Sequence, residues 1–440
     1  MKKNHKAGRK VYIVDGLRTP FIKARSEPGP FSASDLALAA LKPLMLRQSF
    51  APSEFGEVIV GCAMPASTEA NIARVISLRL GCGKKVTAWT VMRNCASGMQ
   101  ALDSAAHSIA FGYHDLVLAG GVDAMSHAPL LFPASMSKWL GRFMSAKTSM
   151  QKMKTLLQLR PAQFKPVVGL EEGLTDHTVG LSMGQTAENV AYRFHITRTE
   201  MDEFAARSHQ LVAKTQSENG FTELTPAYGS NGKLYAADDG VREDSSVEKL
   251  AKLKPYFDKP FGMVTAGNSS QITDGAAFLI LASEEAVKKY QLPILGCIVD
   301  SAWAGCDPTE MGLGPVFATE QLLKQQKLSI DDIDYWEMNE AFAAQVLGCI
   351  RAFADKDFCK TNFGMNHALG NISMDRFNIK GGAIAMGHPI GASGARIVLQ
   401  LLNILKEKNA KRGVANICIG GGQGGAMLIE RTEQIISEEA

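Results

Sequence analysis

Three short segments, far apart in the chain, carry residues able to run covalent acyl chemistry together. They are Cys95 in "RNCASGMQ", His388 in "GGAIAMGHPIGASG" and Cys418 in "NICIGGG". Cys95 follows the β-branched and aromatic run Thr87 to Met92, which has the character of a buried strand. After it, "SGMQALDSAAHSIAFG" places Met99, Leu102, Ala106, Ile109 and Ala110 at helical spacing. The sequence therefore predicts a strand-to-helix turn, with Cys95 beside the unpaired N–H groups of a helix N-terminus. Those groups and the helix dipole favour a thiolate over a thiol. A free cysteine is otherwise a small packing hydrophobe, so its neighbours must decide.

A free thiol titrates near about 8.5, so a base partner helps it act as a nucleophile at neutral pH. His388, between Gly387 and Pro389 in a glycine-rich turn, suits a general base that backbone and substrate can approach closely. Cys418 precedes three glycines; it is either a second thiol that moves protons or a buried strand cysteine. Gly420 and its neighbours offer backbone N–H groups with no side chain in the way, as an oxyanion hole requires. Asn339, in "MNEAFAAQ", either binds an oxygen or a water, or caps the helix that follows.

Strands alternating with helices must position these groups, which implies βαβ units and mostly parallel sheets covered on both faces. The chain also repeats itself weakly. "CASG", a helix and "DLVLAGGVDAM" correspond to "GASG", the helix "ARIVLQLLNIL" and "VANICIGGGQGGAM". "KVYIVDGLRTPF" with the helix "LALAALKPLMLRQ" corresponds to "ILGCIVDSAWAGCDP" with "PVFATEQLLKQQ", and "EVIVGC" corresponds to "DIDYWEMNEAF". Three pairs in the same order indicate duplication. Ligands of open α/β sheets sit beyond the carboxyl ends of strands, where Cys95, His388 and the glycines after Cys418 all fall. Two halves packed back to back would bring these ends into one cleft.

Composition bounds the rest. At 440 residues the chain exceeds one ordinary core. A hydrophobic content of 46% with 21% charged residues is that of a globular protein, and a net charge of +3 gives no global attraction to nucleic acid. The basic start "MKKNHKAGRK" is followed by no apolar signal core, and no apolar run approaches the roughly 20 residues that span a bilayer. Eight scattered cysteines without a C-x-x-C pair speak against a zinc site or a disulfide scaffold and for a reducing cytoplasm.

In "NCASGMQALDSAAHSIAFGYHDLVLAGGVDAMS", "NEAFAAQ", "GGAIAMGHPIGASGARI" and "CIGGGQGGAM" the chain resembles the thiolases, in order and over nearly its whole length. The resemblance implies an α/β thiolase fold: two similar halves in a five-layered αβαβα arrangement with an inserted loop domain. By residue number, 1–128 would be the N-terminal half (completed by about 270–290), 129–269 the inserted loop domain and 291–440 the C-terminal half. It further implies that Cys95 takes the acyl group, His388 activates it and Cys418 moves the proton at the α-carbon. The N–H groups of Cys95 and Gly420 would form one oxyanion hole, and His388 with a water held by Asn339 the other. Coenzyme A and acyl-CoA would be substrates, with no permanently bound cofactor and no metal.

"GNSSQITDGAA" resembles the loop that contacts the pantetheine arm of CoA, with Ser270 at its serine position. "LSMGQTAENVA" matches the family's MG-x-TAE segment and places Met183 at the acyl pocket. Ser182 stands where short-chain acetoacetyl-CoA thiolases commonly carry histidine, which favours 3-ketoacyl-CoA thiolysis in fatty-acid β-oxidation over acetyl-CoA acetyltransferase activity on a C4 substrate. Decarboxylating ketosynthases share the fold but generally use two histidines in place of a Cys418-type thiol, and an acyl-CoA-binding scaffold would not need the intact Cys95, His388 and Cys418. Residues 124 to 170 hold seven Lys or Arg and no Asp or Glu, interleaved with Trp139, Phe143, Met144, Met150 and Met153. This pattern suits peripheral membrane contact through 138–165, a partner, or the phosphates of CoA. It also resembles the insert of thiolase β-subunits, whose partner is the hydratase/dehydrogenase subunit of a β-oxidation complex, although those often carry His-Glu-Ala-Phe where this chain has Asn339-Glu340-Ala341-Phe342. The resemblance implies a homodimer or homotetramer. The two active-site thiols, if close, could also be joined by oxidation.

Overall fold

A computed structural model describes residues 8–25 and 27–432; most of the basic start read above lies outside the described residues. The first half runs β1 (Val11–Arg18), α1 (Ala33–Leu46), β2 (Glu57–Gly61), α2 (Ile72–Leu80), β3 (Thr87–Val91), α3 (Ser97–Ala110), β4 (Leu116–Ala124) and, after a long excursion, β5 (Thr273–Ala282). The excursion holds α4 (Ala134–Ser145), α5 (Ser149–Leu156), α6 (Met183–Arg193) and α7 (Arg198–Ser217), with three small two-stranded sheets. The second half runs β6 (Gly296–Gly305), α8 (Gly314–Gln326), β7 (Tyr335–Met338), α9 (Ala343–Ala354), α10 (Ile390–Glu407), β8 (Arg412–Ile419) and β9 (Gln423–Glu430).

The strands lie in the order β7-β8-β9-β6-β1-β5-β4-β2-β3. The two halves have the same internal pattern. In the first, β1–β5 and β5–β4 are antiparallel and β4–β2 and β2–β3 parallel. In the second, β6–β9 and β9–β8 are antiparallel and β8–β7 parallel, with Phe377 bridging Trp336 in parallel at the place of β3. The sheets of the two halves join edge to edge, where Val11, Tyr12 and Ile13 pair with Ile298, Cys297 and Gly296. The duplication extends to a defect. Both first strands shift register at an aspartate, Asp15 and Asp300, and each carboxylate accepts from a glutamine at or just after the C-terminal end of the next helix. Gln48 reaches Asp15 and Gln326 reaches Asp300, both at 2.7 Å.

Strand side chains alternate between cores, as a period of two demands. In β5, Ala277, Leu279 and Leu281 face a central core built on α3 and α10, while Ala276, Phe278 and Ile280 face an outer core under α1 and α2. In β8, Ala415, Ile417 and Ile419 face the same central core, and Val414 and Cys418 an outer one under α8 and α9. The layers thus run α, β, α, β, α, as the resemblance implies.

One strand differs from its sequence reading. Thr87 to Met92 reads as buried, yet the residues of β3 are half-buried or exposed, with Trp89 38% and Met92 60% exposed. Its composition signals a strand correctly, but β3 ends the sheet order and so is an edge.

The two helices of the central layer meet through their repeated small-residue turns, "CASG" and "GASG". A Cβ on Gly98 would lie 2.5 Å from Gly391 O, and one on Gly394 would lie 2.5 Å from Met99 N. Only glycine allows that approach at either position. Asp123, fully buried at the end of β4, secures the junction. It accepts from the N–H groups of Ala63, Met64 and Gly391 at 3.1, 2.9 and 2.5 Å and from the Cys62 thiol at 3.1 Å. Replacing Gly394 with alanine is expected to overpack this contact and lower unfolding stability by about 2–3 kcal/mol. Denaturant unfolding that changes by less than 1 kcal/mol would contradict the close-approach account.

Candidate active site

Cys95 sits in the turn between β3 and α3. Asn94 takes a left-handed backbone conformation there (φ 43°) and donates from Nδ2 to Gly420 O at 2.8 Å. Ser97 holds the turn by donating to Asn94 O at 2.7 Å and accepting from Arg93 N–H at 2.8 Å. The N–H groups of Gly420 and of Cys95 itself both reach the Cys95 sulfur, so the glycine run after β8 and the first-half turn converge on one atom.

His388 lies in the turn before α10, the counterpart of the turn that carries Cys95. Its N–H donates to Gln271 O at 3.0 Å, and its ring Nδ1 is 2.5 Å from Ser393 Oγ. Ser393 in turn donates to Pro389 O at 2.9 Å. A carbonyl can only accept, so the serine proton points to Pro389 and the imidazole proton sits on Nδ1. Nε2 is left bare as a base, 3.4 Å from Asn339 Nδ2. Asn339 is fully buried after β7, with its N–H on Asn416 O at 3.0 Å. It does not cap the following helix; Phe342 occupies that position, which removes the capping alternative.

Burial sets the protonation states. It pushes the Cys95 thiol above its ordinary value, outweighing the two N–H groups that favour the thiolate. Against the expectation that the helix end favours a thiolate here stands this burial, which raises the thiol in spite of the two N–H groups. His388 is driven down to about 3, by burial first and then by the Arg396 guanidinium. Cys418, fully buried at the end of β8, is held well above its ordinary value by burial and by Cys95. The resting site is thus neutral: a thiol, a free imidazole and a second thiol that keeps its proton.

A cavity of about 360 Å³ opens onto Cys95 and Gly420, lined also by Met64, Met92, Leu174, His177, Met183 and Ile390. Its lining is mainly apolar, with the reactive sulfur at one wall. Met183 begins α6, where Ser182 caps the helix in a reciprocal pair with Gln185; that is the local role of the serine noted in the sequence. Ser270 lies beside Ala341, donating its N–H to Ala341 O at 2.9 Å, and is not part of this cavity's lining. Sequence reasoning missed Asn94, Ser393 and the 173–178 segment. Ser393 was findable, five residues after a histidine at a helix start. The 173–178 segment lines the cavity only through tertiary packing, and no local pattern marks it. Among the described residues no group of three or more His, Cys, Asp or Glu could hold a metal ion, and no helix is long and apolar enough to cross a membrane.

Comparison with known proteins finds relatives over nearly the whole chain. The family model for the thiolase N-terminal domain matches residues 11–285, and that for the thiolase C-terminal domain matches residues 292–431. The 3-ketoacyl-CoA thiolase of Serratia proteamaculans is 36% identical over 429 residues, covering 96% of this chain and 97% of that protein. The 3-ketoacyl-CoA thiolase of Vibrio cholerae is 36% identical over 428 residues, covering 97% and 98%. Human mitochondrial 3-ketoacyl-CoA thiolase superposes with a TM-score of 0.83 at 34% identity, covering 97% of this chain and 99% of that one. Its complex with CoA gives 0.82, as does the acetyl-CoA acetyltransferase of Bacillus anthracis, also 34% identical and covering 97% and 100%.

The raised Cys95 thiol has a direct consequence. Alkylation of Cys95 by iodoacetamide, followed by mass spectrometry of its peptide, should accelerate continuously from pH 7 to beyond pH 9, because the reactive thiolate is scarce at neutral pH. A rate that is flat between pH 6 and 9 would mean a preformed thiolate and would contradict the neutral resting site.

Proposed function

The chain belongs to the thiolase family, and from that premise we propose that it cleaves 3-ketoacyl-CoA, with coenzyme A as second substrate, into acetyl-CoA and an acyl-CoA shortened by two carbons. The convergence of the Cys95 and Gly420 N–H groups on the Cys95 sulfur carries this reading. An anion that forms on an oxygen bonded near that sulfur meets two fixed donors without any rearrangement.

In the proposed course His388 Nε2 takes the proton of Cys95 as the sulfur attacks the 3-keto carbon. The bond between C2 and C3 then breaks; its electron pair forms the enolate of acetyl-CoA, which is protonated at carbon by Cys418. A raised thiol suits that step, since it retains its proton until a strong base arrives. The proton on His388 then passes to the Cys418 thiolate, which frees His388 to take the thiol proton of coenzyme A as it attacks the acyl-cysteine. The acyl–sulfur bond breaks, and the departing Cys95 thiolate regains that proton from His388. The Cys95 and Gly420 N–H groups hold the 3-keto oxygen as Cys95 attacks its carbon, and Asn339 beside His388 supplies the polar contact for the thioester oxygen that becomes the acetyl-CoA enolate. Met183 would border the acyl chain, Ser270 the pantetheine arm. The segments 1–128, 129–269 and 291–440 serve in this reading as first half, substrate-covering insert and second half, in fatty-acid oxidation within the cytoplasm. Cleavage should be measured with 3-ketoacyl-CoA of four and of ten or more carbons. Turnover of the longer substrate, lost by at least ~10³-fold in Cys95→Ala, is expected. Turnover of acetoacetyl-CoA alone would assign the acetyltransferase activity instead, and cleavage surviving in Cys95→Ala would overturn the mechanism.

Two surfaces support partner contacts. The edge strand β3, with exposed Trp89 and Met92, suits pairing with a second copy of the chain in a homodimer or homotetramer. The α4–α5 hairpin is stabilised internally: Trp139 stacks on Phe143 at 5.3 Å and donates to Thr155 O at 2.8 Å. It nevertheless leaves Met144, Met150 and Leu157 exposed at 76, 69 and 80% among its basic residues. An apolar face rimmed with cations fits an anionic bilayer surface better than water. Co-sedimentation with vesicles containing phosphatidylglycerol is expected, lost in the quadruple variant K138E/R142E/K152E/K154E. Equal pelleting of both proteins would contradict membrane contact, and capture of a hydratase/dehydrogenase subunit in its place would assign the face to that partner.

A further inference from the structure

Arg396 lies on α10 with no exposed surface, two turns beyond His388. A guanidinium removed entirely from water costs several kcal/mol unless its surroundings repay it, and α10 is otherwise a densely apolar helix of the central core. The contacts of Arg396 run toward the site. Its Nη1 is 3.5 Å from Glu337 Oε2 and its Nη2 is 3.5 Å from Asn339 Oδ1. Glu337 is itself fully buried and receives Gln400 Nε2 at 3.0 Å.

Arginine carries donors only. The Asn339 atom facing Arg396 must therefore be the oxygen, which turns Nδ2 toward His388 Nε2 at 3.4 Å. A donor facing Nε2 requires that nitrogen to be bare, and the proton then sits on Nδ1, facing Ser393. We propose that Arg396 is a positioning residue that fixes the amide of Asn339 and thereby the tautomer in which His388 Nε2 is a base. The contacts form one chain of uniform polarity: Arg396 to Asn339, Asn339 to His388, His388 to Ser393, Ser393 to Pro389 O. A donor-only group begins it and an acceptor-only group ends it. Both contacts of Asn339 are long, as catalytic contacts in unliganded sites often are, and they tighten in the reacting complex. The same positive charge adds to burial in keeping His388 unprotonated.

The inference rests on the thiolase reading for its kinetic arm only. The direct readout is the ¹⁵N spectrum of the full-length protein labelled on histidine, with His388 assigned by its absence in His388→Ala. The wild type should show a protonated Nδ1 and a bare Nε2. Arg396→Met frees the amide to turn and should give a mixture of tautomers, with kcat for thiolysis down by about 100-fold and KM within about threefold. Arg396→Lys, which keeps a donor-only cation, should restore the tautomer and part of kcat. Should Arg396→Met fail to fold, Asn339→Asp decides the matter, because a carboxylate still satisfies Arg396 but presents an acceptor to Nε2. That variant should move the proton onto Nε2. An unchanged tautomer in Arg396→Met with kcat within threefold of wild type, or a bare Nε2 in Asn339→Asp, overturns the proposal. A wild type with the stated tautomer but no thiolysis would sink the functional reading and leave this one standing.

Discussion

Two glycines, Gly98 and Gly394, let the backbones of α3 and α10 meet at their first turns, and the rest of the site follows from that contact. The turn preceding each helix is carried to the interface between the halves. One delivers Cys95 and the other His388, from equivalent places in a duplicated unit. Asp123 completes the junction by collecting N–H groups from the end of β2 and the start of α10. In the proposed mechanism neither half alone would supply nucleophile, base and oxyanion site, so the chemistry would belong to the interface that the central helix layer keeps at fixed spacing.

Electrostatically, the site holds its charge in reserve. Cys95 and Cys418 are raised and His388 is lowered, all mainly by burial. In the proposed reaction charge would appear only as the steps proceed, in surroundings where fixed N–H groups act strongly because little water screens them. Close to the base, the Arg396 guanidinium faces Glu337, a buried carboxyl that burial raises to about 8 while the guanidinium pulls it back, so that it holds its proton at neutral pH. Glu340 of the same segment is engaged elsewhere, accepting from Ser208 at 2.6 Å and from Asn378 at 2.8 Å, and so anchors the segment that carries Asn339 to α7 and to the stretch after α9.

Much of this was legible in the sequence because it rests on local signals. Cys95 and His388 each stand before a small-residue turn and a helix, and the repeated "CASG" and "GASG" disclose the duplication. The equivalent strands around Asp15 and Asp300 read alike, as "YIVDG" and "CIVDS", though only the structure reveals the shared register shift. What local patterns cannot express is position in the whole. β3 has the composition of an interior strand and lies at the edge. The helix start at Cys95 is visible in the sequence, whereas the desolvation that raises its thiol comes in part from elements hundreds of residues away. Ser270 matches a loop motif but lies beside Ala341 rather than in the cavity at Cys95. The 173–178 segment, without any motif, forms part of that cavity's wall.

The central claim is that Cys95 carries the acyl group between the two halves of the reaction. It is tested most directly by mixing the enzyme with a 3-ketoacyl-CoA in the absence of free CoA, quenching in acid and mapping the added mass by peptide sequencing. The account predicts one acyl group on the peptide containing Cys95, removed when CoA is added before the quench. An acyl group on Cys418 or elsewhere, or turnover with no acyl-enzyme at all, would contradict it.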